Sequence, residues 1–216
     1  MKVQKNLLLR KPNILIAVIV VFYTVGIVGM SLPDQRDYFA SLSFLNLLLS
    51  FGIVLLARKV AIKRFIGFLA FCFSIGFVAE LIGVHTGLLF GSYHYGENLG
   101  VKVFEVPIII GLNWGILVVI SASLVERFQM SVYFKVLLAT TLMVFLDFLM
   151  EPIANDLDFW HWRNDQIPLY NFVCWFVISL ILQYFYFNFN KLAESNRVFN
   201  VLYTVMVVFF SLLNLM

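Results

Sequence analysis

The chain has 216 residues, 62% of them hydrophobic and 12% charged, with a mean hydropathy of +0.95 and a formal net charge of +3. Soluble domains are about a quarter charged, so this composition cannot make a water-facing surface; lipid is the solvent that suits it. In a chain this apolar the basic residues speak to membrane orientation and not to nucleic acid.

Seven apolar stretches are each long enough, at about 20 residues, to cross the hydrocarbon core. They cover residues 13–32, 38–57, 65–84, 105–124, 131–151, 167–187 and 198–216. The first follows a basic N-terminus, but it is too long for a signal-peptide core and has no clear small-residue cleavage site. The connections are short, with no linker, repeat or low-complexity segment. The expected fold is all-α: a polytopic transmembrane bundle of about seven helices forming a single integral membrane domain over 1–216.

Threading seven helices places Lys2, Lys5, Arg10, Lys11, Arg58, Lys59, Lys63, Arg64, Arg127, Lys135, Lys191 and Arg197 on one side. Only Arg36, Lys102 and Arg163 fall on the other. This bias predicts a cytoplasmic N-terminus. The acidic residues run the opposite way. Glu126 and Glu194 share the basic side, whereas Asp34, Asp37, Glu80, Glu97, Glu105, Asp147, Glu151, Asp156, Asp158 and Asp165 gather in the outer half with His85, His94 and His161. Carboxylates follow the topology rule weakly, so their clustering calls for a chemical reason.

Glu80 lies near the outer end of the third stretch. A carboxylate there costs several kcal/mol in lipid unless it is paired, hydrated or protonated, so it must face the bundle interior. It is either bonded to a neighbouring helix or functional. Asp147 and Glu151 are four apart, which puts both on one helix face about 6 Å apart along the axis. Close carboxylates raise each other's proton affinity, so one can stay protonated and act as a general acid. Alternatively Glu151, followed by Pro152, ends the helix. Cys72 and Cys174 lie inside apolar runs and read as small buried hydrophobes, with no disulfide framework.

The stretch from His85 to Gly100 carries glycines at 87, 91, 96 and 100 around Tyr93, His94 and Tyr95. Irregular backbone at membrane depth is tolerated only against protein or a wet cavity, so it reads as a loop folded back over a cavity. It is not a phosphate loop or a nucleophile elbow. His85, His94 and the carboxylates have no close metal-ligand spacing, and no metal site is expected. Trp160, His161 and Trp162 suit either an interfacial aromatic belt or a π-faced wall around an apolar ligand. Asn113, Trp114, Asn171 and Trp175 can join the same wall.

Together these residues resemble the membrane-embedded carotenoid hydratases, the "carotenoid biosynthesis proteins" that include bisanhydrobacterioruberin hydratases and carotenoid 1,2-hydratases. The resemblance rests on Glu80-Leu-Ile-Gly-Val-His-Thr-Gly87, Phe90-Gly-Ser-Tyr-His-Tyr95, Leu99-Gly100, Val106-Pro107 with Trp114, Asp147, Glu151-Pro152, Trp160-His-Trp162, Ile167-Pro168, Asn171-Phe172 and Trp175. It covers about residues 65–187. Where this chain has Arg163-Asn-Asp-Gln-Ile167, a glycine is expected just before the proline.

The resemblance implies addition of water to the C1=C2 bond of an acyclic carotenoid ψ-end, without a cofactor. It implies Glu80, Asp147, Glu151 and His94 as the catalytic group, with Glu80 or Asp147 as proton donor. Around the substrate it implies His85, Tyr93, Tyr95, Asn113, Trp114, Trp160, Trp162, Asn171 and Trp175. The bacterial inner membrane and contact with other carotenoid-pathway enzymes follow from the same likeness. Three other readings fit the residues: a proton-coupled carrier of a small apolar molecule, a metal-dependent prenyl-chain enzyme, and a non-catalytic assembly partner.

Overall fold

A computed structural model describes residues 12–188, 192 and 194–216. The basic residues Lys2, Lys5, Arg10, Lys11 and Lys191 lie outside the described residues. The apolar stretches form eight helices: α1 (Pro12–Ser31), α2 (Arg36–Ser41), α3 (Ser43–Ala57), α4 (Ile62–Thr86), α5 (Ile108–Glu126), α6 (Val132–Ala154), α7 (Leu169–Asn188) and α8 (Arg197–Leu213). Five of them (α1, α4, α5, α6 and α7) are long and apolar enough to cross a membrane, and the bent pair that ends in α3 makes a sixth if it is one span.

Three stretches depart from the expected seven spans. The second breaks at Leu42, where the Pro33–Ser41 and Ser43–Ala57 segments meet at 50°. Upstream of the break, Pro33 opens the first of these segments with a 3-10 turn, where its ring fixes φ at a helix start. The last, α8, has 17 residues and is shorter than the other spans. The fourth starts at Ile108 and not at 105, because Phe104 and Glu105 both have left-handed φ, 49° and 63°.

α5 is the axis of the bundle: 83% of its apolar window is buried, against 28% to 44% for the other four spans. It is apolar nearly all round, the pattern of a helix enclosed on every side. α4, α6, α7, α8 and α3 pack on it, and α1 packs on α8. Small residues allow the close approach. A Cβ on Gly76 of α4 would stand 2.3 Å from the Trp114 ring of α5, so only glycine lets that ring lie flat on α4.

Two short antiparallel ribbons cap the acidic side. β1 (Tyr93–Tyr95) pairs with β4 (Trp160–Trp162), in register Tyr93 with Trp162, His94 with His161 and Tyr95 with Trp160. β2 (Lys102–Val103) pairs with β3 (Val106–Pro107). On the basic side Asn196 caps α8 by accepting from the Val198 N–H (3.0 Å) and donates to the Ala57 carbonyl (2.9 Å).

Candidate active site

The site is built where α4, α5, α6 and α7 meet the β1–β4 ribbon. Strand alternation puts Tyr93, Tyr95, Trp160 and Trp162 on one face of the ribbon, and that face closes over three buried carboxyl groups: Glu80, Asp147 and Glu151. All three line a single small cavity of about 30 Å³. That volume is about the share of one water in the liquid.

Glu80 on α4 accepts three hydrogen bonds. The Tyr93 and Tyr95 hydroxyls donate to Oε2 at 2.5 and 2.8 Å, and the Trp114 indole N–H to Oε1 at 3.1 Å. Glu151 on α6 also accepts three. The Trp160 and Trp162 indoles donate to Oε2 at 3.1 and 2.6 Å, and the Asn171 amide to Oε1 at 2.7 Å. Indole and amide N–H groups only donate, so both residues are held as acceptors. Asp147, one turn before Glu151, has among the described residues a single donor, Asn171 Nδ2 at 3.2 Å to Oδ2, and its Oδ1 is buried without a partner among them. The tyrosines lie outside the spanning helices. Burial first, and then the neighbouring Glu80 carboxylate, hold both hydroxyls well above the ordinary tyrosine range, so they are donors at every accessible pH.

Aromatic faces complete the walls. Trp114 and Trp175 stack at 3.9 Å with 12° between their planes, and Tyr93 leans on Trp162 at 5.1 Å. Phe90, 1% exposed, also lines the cavity, with a left-handed φ of 65°. That conformation costs about 1–3 kcal/mol for a bulky residue. Its N–H faces the Cys174 sulfur at 3.4 Å.

The structure thus brings together Glu80, Asp147, Glu151, Tyr93, Tyr95, Asn113, Trp114, Trp160, Trp162, Asn171 and Trp175. It leaves out two expected members. His94 is exposed on the far face of the ribbon, stacked on His161 at 5.1 Å. The period-2 alternation that turns Tyr93 and Tyr95 inward turns His94 outward. His85 is also exposed; its Nε2 meets the Phe104 carbonyl at 3.1 Å and secures the β2–β3 turn. These histidines stand apart from the carboxylates. Among the described residues no group of three His, Cys, Asp or Glu side chains is placed to hold a metal ion.

Ile110 and Met150 line the cavity but carry no signal in the sequence, because apolar residues in apolar helices look alike; Phe90, which opens the Phe90–Tyr95 motif, lines it too. Where a glycine is expected before Pro168, the left-handed turn falls instead on Asn164 (φ 62°) and Asp165 (φ 53°). Both residue types tolerate it.

A helical membrane bundle with a buried acidic chamber roofed by aromatic donors defines the class. Within it, the family model of the carotenoid biosynthesis proteins matches residues 39–216, and the chain belongs to that family. Comparison with curated proteins and with solved structures gives no match.

Proposed function

We propose that this chain is a hydratase that adds water to the C1=C2 bond of an acyclic carotenoid ψ-end. The observation that carries the reading is Asp147: a fully buried carboxyl with one weak donor and a bare Oδ1, in the same cavity as two carboxylates that each accept three hydrogen bonds. Three adjacent negative charges cannot all persist in so small a buried chamber. The proton belongs on Asp147, the member with the fewest donors to stabilise a charge.

The Asp147 proton forms the new C–H bond at C2 using the π pair, leaving a tertiary cation at C1. The Trp114–Trp175 stack and the Glu80 carboxylate stabilise that cation by π-face and charge attraction. Water attacks C1, and its released proton passes to Glu80 and back across the cavity to Asp147. Glu151, fixed by two indoles and Asn171, holds the charge that keeps Asp147 protonated. The product is a tertiary alcohol, and only water is consumed. The basic-side bias of the loops supports a cytoplasmic N-terminus in a bacterial inner membrane.

The test is expression in a lycopene-producing host, with extracted pigments read by mass. The reading predicts pigments heavier by one or two waters, and none from the Asp147→Asn variant. Unmodified pigment from the native chain would remove the hydratase reading. Release of pigment to a second membrane with no change in mass would favour a carrier.

A further inference from the structure

The carboxylate chamber, at about 30 Å³, is too small for the isoprene units that follow the reacting bond. Beside it lies a second, apolar cavity of about 240 Å³, between α1, the α2–α3 break, α5 and α8. Four residues, Ile110, Asn113, Met150 and Trp160, line both spaces, so the two are neighbours across one shared wall. Phe22, Val25 and Leu45 on its rim are 53%, 52% and 56% exposed on the helix faces that meet lipid. In the wall itself Asn113 is 7% exposed, and its Oδ1 is buried with no hydrogen-bond partner among the described residues.

From these features we infer that the apolar cavity seats the terminal isoprene units of a polyene that slides in sideways from the bilayer between α1 and α3. Asn113 is the polar gate between that seat and the carboxylates. An apolar cavity of about 150 Å³ takes a benzene ring. On that scale 240 Å³ takes about ten carbons, which is two isoprene units. The remainder of a longer chain stays in the membrane, so the protein reads one end and not the other. The orphan Asn113 oxygen needs an O–H donor. The attacking water supplies one before reaction, and the new tertiary alcohol supplies one after it. The identity of the reacting end rests on the hydratase reading; the seat itself does not.

The experiment uses the full chain in phosphatidylcholine nanodiscs with lycopene as the probe. Gly26 lines the cavity, and a Cβ there would stand 3.3 Å from the Phe209 ring, so Gly26→Phe fills the seat. The lycopene retained through purification, read by its absorbance, is expected to fall at least about tenfold. A matched control on the lipid-facing side of α7, Val177→Phe, should retain it.

A second readout does not depend on filling the core. The thiol introduced by Leu45→Cys should react with a maleimide at least about fivefold more slowly when lycopene is bound. The native thiols, Cys72 and Cys174, are buried. If Gly26→Phe retains lycopene, or if lipid alone protects the new thiol as well as lycopene does, the inference is overturned. Lycopene held in the seat but never hydrated would leave the inference standing and sink the hydratase. Hydration with both readouts blind to the cavity would do the reverse.

Discussion

Two buried polar regions share α5, α6 and α7, and they are built on opposite terms. The acidic-side chamber holds Glu80, Asp147 and Glu151, whose donors are side chains drawn from α5, α7 and a ribbon whose two strands are remote from each other in sequence. Toward the basic side, Gln183 donates to the Val118 carbonyl at 3.1 Å, to Ser121 Oγ at 2.8 Å and to Met143 Sδ at 3.2 Å, while Ser121 donates to the Leu117 carbonyl at 2.6 Å. Both regions are fully buried, and on α7 Asn171 and Gln183 are about 18 Å apart along the axis. The lower knot is neutral and uses backbone carbonyls, and it ties helices together. The upper chamber gathers ionisable groups that cost several kcal/mol each to bury. A stable bundle has no need of that expense, so the chamber points to chemistry.

Substitutions should separate the two regions, and the largest effect belongs to the proton. Asp147→Asn keeps the size and the Asn171 contact but removes the acid, so turnover should drop by about 10²–10⁴ with the fold intact, read as product mass per folded protein. Next comes Trp162→Phe, which takes the 2.6 Å donor from a buried carboxylate. The expected loss is about 1.5–3 kcal/mol of stability, measured by thermal unfolding in detergent, with activity falling alongside. Gln183→Leu in the knot should cost no more than about 1 kcal/mol and leave turnover unchanged. An activity loss there matching that of Asp147→Asn would erase the distinction between the regions.

The smallest effect is at the ribbon's outer edge. Asp158 accepts from the Glu97 amide at 2.8 Å and pairs with His161 at 2.8 Å. Burial pushes its carboxyl up, but the Glu97 amide and His161 more than offset this, so it sits below the ordinary 3.8. A lowered carboxyl stabilises the fold fully above 3.8 and stops doing so as the pH falls through its folded value. The protection of the Glu97 amide, its intrinsic exchange rate over the observed rate at the same pH, should therefore fall at acid pH in the native chain. The Asp158→Ala variant should show low protection there at all pH values.

The sequence made the carboxylates legible because lipid makes each one conspicuous. Glu80, and the four-residue spacing of Asp147 and Glu151, mark a helix face without any knowledge of the fold. The aromatic wall was readable by type, and Tyr-His-Tyr and Trp-His-Trp both carry a period-2 pattern. What the pattern lacks is a partner: three-residue strands say nothing about pairing with each other, so the outward turn of His94 became visible only with the register. The apolar seat was hidden for a different reason. Its walls come largely from α1, α3 and α8, where the lining residues are apolar or, like Tyr23, Ser43 and Asn46, uncharged, so none is as conspicuous in lipid as a carboxylate. The break at Leu42 likewise falls inside a run whose hydropathy is continuous.

In the proposed reaction a carboxylic acid delivers a proton to carbon, and deuterium tracks that step directly. Membranes carrying the native chain should be incubated with an acyclic carotenoid in heavy water, and the alcohol back-exchanged in ordinary water before its mass is read. One carbon-bound deuterium for each hydroxyl formed is the predicted result. A hydroxylated product with no carbon-bound deuterium would contradict it, because oxygen would then have arrived without protonation of the alkene.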